Sequence, residues 1–307
     1  MELYDVLIIG GGPAGLTAGL YAGRARLTTG MIERLMPGGQ VAGTEFIENY
    51  PGFAEGITGT DLMMAMEKQA RNFGLEISSG TIETIDLKSS PKTVVASGKT
   101  YQSKTVIIST GTDHKSLNVP GEQEFKGRGV SYCATCDGPF FKDKDIVVVG
   151  GGSSGIQESL YLTRFVNSIN LIEYMDHLNA EKILQNRAME NPKFTFHLNH
   201  EVTAINGTQK VESVTVKNRA TQKSRDIPAA GVFIWIGMVP NTAFLDDQVD
   251  LNRWGFIKAG EDCKTSIPGV FAVGDVREKE IRQITTAVAD GTIAAEGAFK
   301  YIESLNG

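Results

Sequence analysis

The most informative stretch of this chain is DVLIIGGGPAGLTAGLYAGRARLTTGMIE, residues 5–33. Its apolar start, glycine turn, alanine- and leucine-rich middle and second apolar segment predict strand, turn, helix and strand. Gly10, Gly12 and Gly15 form the pattern G-x-G-x-x-G, and Glu33 ends the second apolar segment. Such glycines let a backbone approach a pyrophosphate at a helix N-terminus, and such an acid accepts hydrogen bonds from a ribose. The stretch therefore predicts a dinucleotide-binding domain.

The same pattern recurs in KDIVVVGGGSSGIQESLYLTRFVNSINLIE, residues 144–173. Gly150, Gly152 and Gly155 repeat the glycine spacing, and Glu173 repeats the acid. A single G-x-G-x-x-G can occur by chance, but two copies in strand, turn and helix context predict two dinucleotide-binding domains.

A third segment, TSIPGVFAVGDV at 265–276, predicts a strand that ends in Gly274 and Asp275, and an alanine-rich helix follows. These elements can rejoin the first domain, which would make the second domain an insertion. We therefore predict an α/β fold with two Rossmann-like domains. The predicted outer domain is 1–113 with 243–307, the inserted domain is 114–242, and the chain crosses between them near 110–117 and 236–244.

Composition excludes several classes of function. The chain has 307 residues, a net charge of −6 and a pI of about 5.4, with no basic stripe, so nucleic acid is not an expected partner. Its start has no basic region or cleavage site of a signal peptide, and no run of about 18 apolar residues predicts a membrane span. We expect a cytoplasmic protein without a membrane partner.

The segment YCATCDGPFF, residues 132–141, holds Cys133 and Cys136 of the chain's three cysteines. In a reducing compartment a disulfide is seldom a structural staple. Structural zinc needs four ligands, and neither Cys263 nor any of the four histidines, at 114, 177, 197 and 200, stands at a second ligand-pair spacing, so no metal is expected. A redox pair is the favoured interpretation, and it requires an electron source.

Taken together, the motifs resemble those of the low-molecular-weight, FAD-containing thioredoxin reductases of bacteria and archaea. The resemblance runs through essentially the whole chain in the order GGGPAG, PGGQ (37–40), ENYPGF (48–53), TGT (110–112), CATCDG (133–138), GGGSSG, GMVPNT (237–242), GVFAVGDV and RQITTA. It implies the fold of pyridine nucleotide-disulfide oxidoreductases, with FAD on the outer domain. It also implies that the inserted domain carries the nicotinamide site and the C-x-x-C and rotates between two states, and that the protein is a homodimer.

The resemblance also implies roles for individual residues at the two nucleotide sites. The residues expected to bind FAD are Gly10, Gly12, Pro13, Ala14, Gly15, Glu33, Gly39, Gln40, Asn49, Thr110, Gly111, Gly274, Asp275, Arg282, Gln283 and Ile284. The residues expected to bind a nicotinamide dinucleotide, if one is used, are Gly150, Gly152, Ser153, Ser154, Gly155 and Glu173.

At the C-x-x-C, the resemblance implies that Cys136 faces the flavin and that Cys133 attacks the partner disulfide. Asp137 is placed to transfer the proton that thiol exchange needs. Phe140 and Phe141 are either an apolar patch that receives a protein substrate or ordinary core residues. Thioredoxin or a thioredoxin-like protein is the expected partner, and a peroxidase or glutaredoxin-like protein is an alternative. Cys263 is expected to be a loop thiol without a partner.

The chain departs from the family where the 2′-phosphate of NADPH is usually bound. Most members have His-Arg-Arg after the second nucleotide strand, and another arginine follows. Here Glu173, Tyr174 and Met175 take the first three places and Asn179 takes the last. A carboxylate repels a phosphate but accepts hydrogen bonds from a bare ribose, so NADPH is disfavoured and NADH is the favoured donor.

Three alternatives stay open at this point. One is a nicotinamide-independent reductase that takes electrons from ferredoxin or another flavoprotein, and another is a degenerate nucleotide site. The third is a flavin-bound redox sensor that binds a partner without turnover, although the intact C-x-x-C beside a complete FAD set favours an enzyme.

Overall fold

The computed structural model describes residues 3–44 and 46–306. The chain forms two compact units, Met1–Asp113 with Val239–Gly307 and, between them in sequence, His114–Met238. The α/β class predicted from the sequence is confirmed. The second crossing lies before Val239 rather than after residue 242, because Asn241 is tied to the first unit: its N–H donates to Gly111 O (3.0 Å) and its Nδ2 to Thr110 O (3.1 Å).

The described strands, in chain order, are β1 (Leu3–Ile9), β2 (Thr29–Glu33), β3 (Glu76–Ser79), β4 (Ile82–Asp86), β5 (Lys92–Ala96), β6 (Lys99–Ile108), β7 (Thr112–His114), β8 (Val130–Ser131), β9 (Asp145–Val149), β10 (Ser168–Ile172), β11 (Phe194–His197), β12 (His200–Gly207), β13 (Val211–Asn218), β14 (Ser224–Pro228), β15 (Gly231–Ile234), β16 (Met238–Pro240) and β17 (Val270–Ala272). The described α-helices are α1 (Pro13–Arg24), α2 (Gly59–Asn72), α3 (Ala134–Asp137), α4 (Ser153–Leu162), α5 (Lys182–Glu190) and α6 (Ile284–Asn306). Short 3-10 turns lie at Gly39–Gly43, Gly138–Phe141, Ala243–Leu245 and Gly274–Val276.

A seven-stranded sheet forms the centre of the first unit, in the order β3-β2-β1-β6-β5-β4, with β17 also beside β6. The long strand β6 makes this possible because its two halves have different neighbours. Its first half pairs antiparallel with β5, and its last residues pair parallel with β17, where Val270 lies opposite Val106 and Ala272 opposite Ile108. This pairing returns the end of the chain to the sheet that carries the first glycine turn.

Helices α1 and α6 pack closely beside this sheet, and glycine permits the contact. A Cβ on Gly291 of α6 would lie 2.3 Å from the Ala14 carbonyl oxygen of α1, so no larger residue fits there. Buried Ile8, Leu16 and Phe271 belong to the core cluster around this contact. The small residues of the alanine-rich C-terminal segment thus serve tight packing between helices.

The second unit repeats the arrangement around the second glycine turn. Its five-stranded parallel sheet has the order β11-β10-β9-β15-β8, so β9, the strand before the second glycine turn, is central. The next two strands in sequence, β10 and β11, lie on one side of β9, just as β2 and β3 lie on one side of β1 in the first unit. A three-stranded antiparallel sheet, β12-β13-β14, accompanies it. None of the helices in the described part of the chain is long and apolar enough to cross a membrane.

Candidate active site

The two fingerprints fold into the same strained turn. Gly10 has φ +101° and Gly150 has φ +117°, a backbone conformation that side-chain-bearing residues rarely adopt. A Cβ on Gly15 would lie 2.1 Å from Gly10 O, and a Cβ on Gly155 would lie 2.2 Å from Gly150 O. Glycine is therefore required at the first and third positions of each motif by the protein itself.

The middle glycine of each motif is not required by contacts within the protein. Gly12 and Gly152 are the N-cap residues of α1 and α4, and neither helix has a side-chain cap. A Cβ on either glycine would meet nothing within 4 Å. This open space at a helix N-terminus is what a pyrophosphate needs for close approach to the backbone. Pro13 begins α1, where its missing N–H costs nothing.

The acids at the ends of β2 and β10 are held identically. Glu33 accepts hydrogen bonds from the amides of Gly11 (2.6 Å) and Leu35 (3.0 Å). Glu173 accepts from the amide of Gly151 (2.5 Å) and from the amide two residues after itself (2.8 Å). Each carboxylate therefore ties its loop to the glycine turn, and each oxygen keeps a lone pair for a ribose hydroxyl.

Further residues of the expected FAD set come together around the first turn. A Cβ on Gly39 would lie 3.5 Å from Gly12 Cα, and a Cβ on Gly274 would lie 3.1 Å from Ala14 Cβ. The carboxyl ends of the parallel strands β1, β6 and β17 bring these segments to one edge of the sheet. Asn49 Nδ2 donates to Gln283 Oε1 at 3.3 Å, which joins two more members of the set.

The segment after β6 is fixed by backbone and side-chain bonds. Thr110 Oγ1 donates to Asn241 O at 2.8 Å, and Gly111 has φ +62°. Gln40 Nε2 donates to the Thr112 carbonyl oxygen, which connects the Gly39–Gly43 turn to this segment.

Asp275 and Arg282, two charged members of the expected FAD set, lie in partly buried surroundings. Burial raises the pKa of Asp275, against the opposing charges of Lys279 and Arg282. The Arg282 guanidinium lies 4.3 Å from the centroid of the Phe256 ring, and its buried Nε has no hydrogen-bond partner among the residues that the structure describes. A buried donor without an acceptor fits a site that a polar group of FAD completes. Ile284, the last member of the set, begins α6.

Asp290 on α6 is a site residue that sequence reasoning missed. Its side chain accepts from Gly274 N (2.9 Å), Arg277 Nη2 (2.8 Å) and Lys279 Nζ (2.9 Å). Burial raises its pKa, but the bonds from Arg277 and Lys279 outweigh burial and hold the pKa below the usual value. Asp290 therefore clamps the Gly274 turn to α6, and no local sequence pattern indicates this.

Cys133 and Cys136 form a disulfide in the structure, with 5.4 Å between their Cα atoms. Cys133 is half-buried and caps α3, where its sulfur accepts the Cys136 amide at 3.2 Å, while Cys136 is exposed. Asp137 is half-buried, and its carboxylate has no hydrogen-bond partner among the residues the structure describes.

The carboxylate of Glu122 holds Tyr132, the residue before the disulfide, and the sequence analysis did not identify Glu122. Glu122 is 1% exposed and accepts from the Tyr132 hydroxyl at 2.6 Å. Burial and the bond to Glu122 raise the pKa of Tyr132 to about 12. Trp235 Nε1 donates to the Tyr132 carbonyl oxygen at 3.2 Å, so both ends of this residue are anchored.

The two phenylalanines after the C-x-x-C have different environments. Phe140 is 81% exposed, whereas Phe141 packs edge-on against Phe233 at 5.3 Å between ring centroids. Cys263 also differs from the sequence expectation: it lies in a turn, but it is fully buried, and its sulfur is 3.7 Å from Asp290 O. Burial raises the pKa of Cys263 to about 12, so this thiol is unreactive.

The loop after β10 covers the second glycine turn. The Asn179 amide donates to Gly151 O at 3.0 Å, and Ser153 Oγ accepts the Glu181 amide at 3.0 Å, while Ser154 is exposed. The loop after β10 contains no arginine of its own, but the fold places Arg219 next to it. The guanidinium of Arg219, from the turn between β13 and β14, lies 3.5 Å from the centroid of the Tyr174 ring.

The fold and the site define a protein with two dinucleotide-binding units, the second of which carries a disulfide. A family model described as pyridine nucleotide-disulphide oxidoreductase matches residues 4–291. The chain belongs to that family, and it is an oxidoreductase of the flavoprotein class.

Individual relatives share nearly the whole length of this chain. A thioredoxin reductase of Listeria innocua is 48% identical over 307 residues, which is 99% of this chain and 95% of the relative. A thioredoxin reductase of Bacillus subtilis is 46% identical over 305 residues, with 99% and 96% covered. The crystal structure of Lactococcus lactis thioredoxin reductase superposes with a TM-score of 0.96 at 42% identity, covering 98% of this chain and 99% of that one. The resemblance to thioredoxin reductases stated from the motifs is confirmed.

Proposed function

We propose that the protein is a disulfide reductase that passes electrons through FAD to the Cys133–Cys136 disulfide and from there to thioredoxin or a thioredoxin-like protein. The observation that carries this proposal is the disulfide itself, formed within the unit that holds a complete second nucleotide fingerprint. The similarity to thioredoxin reductases supports thioredoxin as the substrate. The homodimer implied by the resemblance stays a prediction.

The first unit is proposed to hold FAD. The turn at Gly10–Gly15 receives the pyrophosphate at the N-terminus of α1, Glu33 receives the adenine ribose, and Asp275 and Arg282 complete the site. FAD supplies, when bound, a flavin ring that takes up an electron pair and delivers it to a disulfide.

The cysteines then carry the exchange. Two electrons break the S–S bond and leave two thiolates, and the sulfur of Cys136 takes up one proton from solvent while Cys133 stays a thiolate. The Cys133 thiolate is stabilised by the Cys136 amide and by the Thr135 hydroxyl, 3.3 Å away. It attacks one sulfur of the partner disulfide, so a mixed disulfide forms and the other partner sulfur leaves as a thiolate. Cys136 then attacks Cys133, which restores the Cys133–Cys136 bond and releases the second partner thiolate.

Two neighbouring residues are proposed to assist this exchange. Asp137, whose carboxylate is free of hydrogen bonds within the described residues, transfers a proton to the leaving partner sulfur. Phe140 provides an exposed apolar contact for the partner protein, whereas Phe141 is half-buried and packs against the core.

NADH is proposed as the donor in preference to NADPH. Glu173 is held as Glu33 is, with both oxygens tied to backbone amides and lone pairs left for ribose hydroxyls. A 2′-phosphate at the same place would meet this carboxylate, and juxtaposed like charges cost several kcal/mol. The absence of arginine at positions 174, 175 and 179 supports one alternative, a nicotinamide-independent reductase with ferredoxin as donor.

Anaerobic mixing tests the donor. The oxidised enzyme is mixed separately with NADH, NADPH and reduced ferredoxin while flavin absorbance is followed, and thioredoxin reduction is then measured with each donor. We expect NADH to bleach the flavin fast and NADPH to bleach it slowly. In a Glu173→Gln variant, the difference between the two bleaching rates should become smaller. Fast bleaching by NADPH would contradict the charge argument, and bleaching by ferredoxin alone would establish the alternative. Turnover without any thiol product would leave the disulfide reductase proposal without support.

A further inference from the structure

The open end of the second nucleotide site carries an aromatic ring fixed by a guanidinium. Tyr174 directly follows Glu173, and its side chain is 52% exposed. Arg219 lies over this ring at 3.5 Å from its centroid, and its Nη1 donates to the Tyr174 carbonyl oxygen at 3.0 Å. The two residues are 45 positions apart in sequence, so only the fold brings them together.

Backbone bonds hold this pair in place from three segments. The Asn199 amide donates to Met175 O at 2.7 Å, and the Arg219 amide donates to Asn199 O at 2.9 Å. The Glu173 amide donates to His197 O at 3.0 Å. The loop after β10, the turn between β11 and β12, and the turn between β13 and β14 are thus joined at this point. One face of the Tyr174 ring is covered by the guanidinium, and the exposed remainder is presented by a braced loop.

We propose that Tyr174, backed by Arg219, is the adenine platform of the second nucleotide site. The glycine turn and Glu173 mark where a ribose would bind. Tyr174 directly follows this acid, so we place the base attached to that ribose against the Tyr174 ring. Any base can stack on an aromatic face, whatever its hydrogen-bonding groups, and a ring already covered on one face by a guanidinium loses less side-chain entropy on binding than a free one. Arg219 is therefore a positioning residue here and not the clamp for a 2′-phosphate. This inference rests on the proposed function only in assuming that a dinucleotide occupies the second fingerprint.

Calorimetric titration of the FAD-loaded enzyme with ADP-ribose and with 2′-phospho-ADP-ribose tests the platform directly. We expect Arg219→Gln and Tyr174→Ala each to weaken both ligands by about tenfold, within the usual range for loss of base stacking. Tyr174→Phe keeps the ring and should retain most of the affinity. Lys223→Gln removes an exposed charge from the same turn and is the matched control for general electrostatics.

Different outcomes separate the platform from its rivals. If Arg219→Gln weakens only the 2′-phosphorylated ligand, Arg219 is a phosphate clamp and the platform is overturned. Unchanged binding in both variants, or no binding of ADP-ribose to the unmodified enzyme, overturns it as well. In turnover, the variants should raise KM for NADH and not for reduced nicotinamide mononucleotide, which has no adenine. If NADH fails to bleach the flavin while the variants still lose ADP-ribose affinity, the donor proposal fails and the platform stands.

Discussion

At the scale of single residues, burial and partners decide what an ionisable side chain can do. Cys133 lies half-buried with an amide on its sulfur, whereas Cys263 is fully buried and has its pKa raised to about 12. Burial keeps the Cys263 thiol protonated, whereas the Cys133 sulfur is bonded to Cys136 in a part-exposed segment. The same chemical group is therefore suited to exchange at one position and to packing at the other.

We expect Cys133→Ser and Cys136→Ser each to abolish thioredoxin reduction while FAD stays bound, because neither sulfur alone can complete the exchange. Cys263→Ala should retain nearly full turnover. Asp137→Asn should slow turnover by about 10²-fold, as loss of general acid catalysis does. Steady-state reduction of thioredoxin with an excess of the best donor measures all four variants. An essential Cys263 together with a dispensable Cys133 would show that the redox pair is wrongly assigned.

His197 is expected to make stability depend on pH. Burial, Arg225 and His200 lower its pKa from 6.5 to about 4, so the folded state keeps it neutral. Between these two values the unfolded state binds more protons, and the free energy of unfolding falls as pH drops through that window. The free energy of unfolding should therefore fall less between pH 7.5 and pH 5 in a His197→Gln variant than in the unmodified protein, by about 1–2 kcal/mol. Urea unfolding at both pH values tests this, and identical losses in the variant and the unmodified protein would count against it.

At the scale of elements, each nucleotide site is built where strands end and a helix begins. The glycine turns need positive φ at Gly10 and Gly150, and the carboxylates of Glu33 and Glu173 hold the adjacent loops against them. The Gly274–Val276 turn has no such local support and depends on Asp290 of α6. Helix α6, which follows the Gly274–Val276 turn in sequence, therefore holds that turn in place through Asp290.

We expect Asp290→Asn to destabilise the protein by about 3–5 kcal/mol, because the buried Arg277 and Lys279 would lose their counter-charge. The loosened Gly274 turn should also release FAD more readily. Thermal unfolding and the flavin-to-protein ratio after gel filtration measure the two effects. Asp262→Asn is the matched control, since its pair with Lys264 at 3.1 Å is exposed and should contribute little. Equal behaviour of the two variants would refute the clamp.

At the scale of the whole molecule, one unit is continuous in sequence and the other is not. Among the described residues, the core clusters of the second unit, which include Val147, Val214 and Phe233, draw only on positions between 114 and 238. The first unit needs its distant C-terminal segment, because β17 pairs with β6 and α6 packs on α1. The first unit is therefore formed by two separate segments of the chain, whereas the second unit is formed by one continuous segment.

We expect a fragment of residues 114–238 to fold alone, since its sheets and cores are complete. A fragment of residues 1–113 should stay unfolded without β17 and α6. Circular dichroism and the chemical-shift dispersion of NMR spectra distinguish these outcomes. Addition of a fragment of residues 239–307 to the second sample should restore structure and FAD binding. A folded 1–113 fragment would show that the C-terminal segment is not required.

Motif spacing in the sequence was enough to locate both glycine turns, both acids and the cysteine pair and to predict the α/β class, because each depends on residues that are close together along the chain. Local spacing fixes such features through φ values, helix N-termini and short loops. Four further features became visible only in the folded chain: Asp290 clamps Gly274, Glu122 anchors Tyr132, Phe141 packs against the core while Phe140 is exposed, and Arg219 covers Tyr174. These contacts join segments that the chain brings together by sheet pairing and packing, and neither periodicity nor motif spacing encodes which distant side chains then meet.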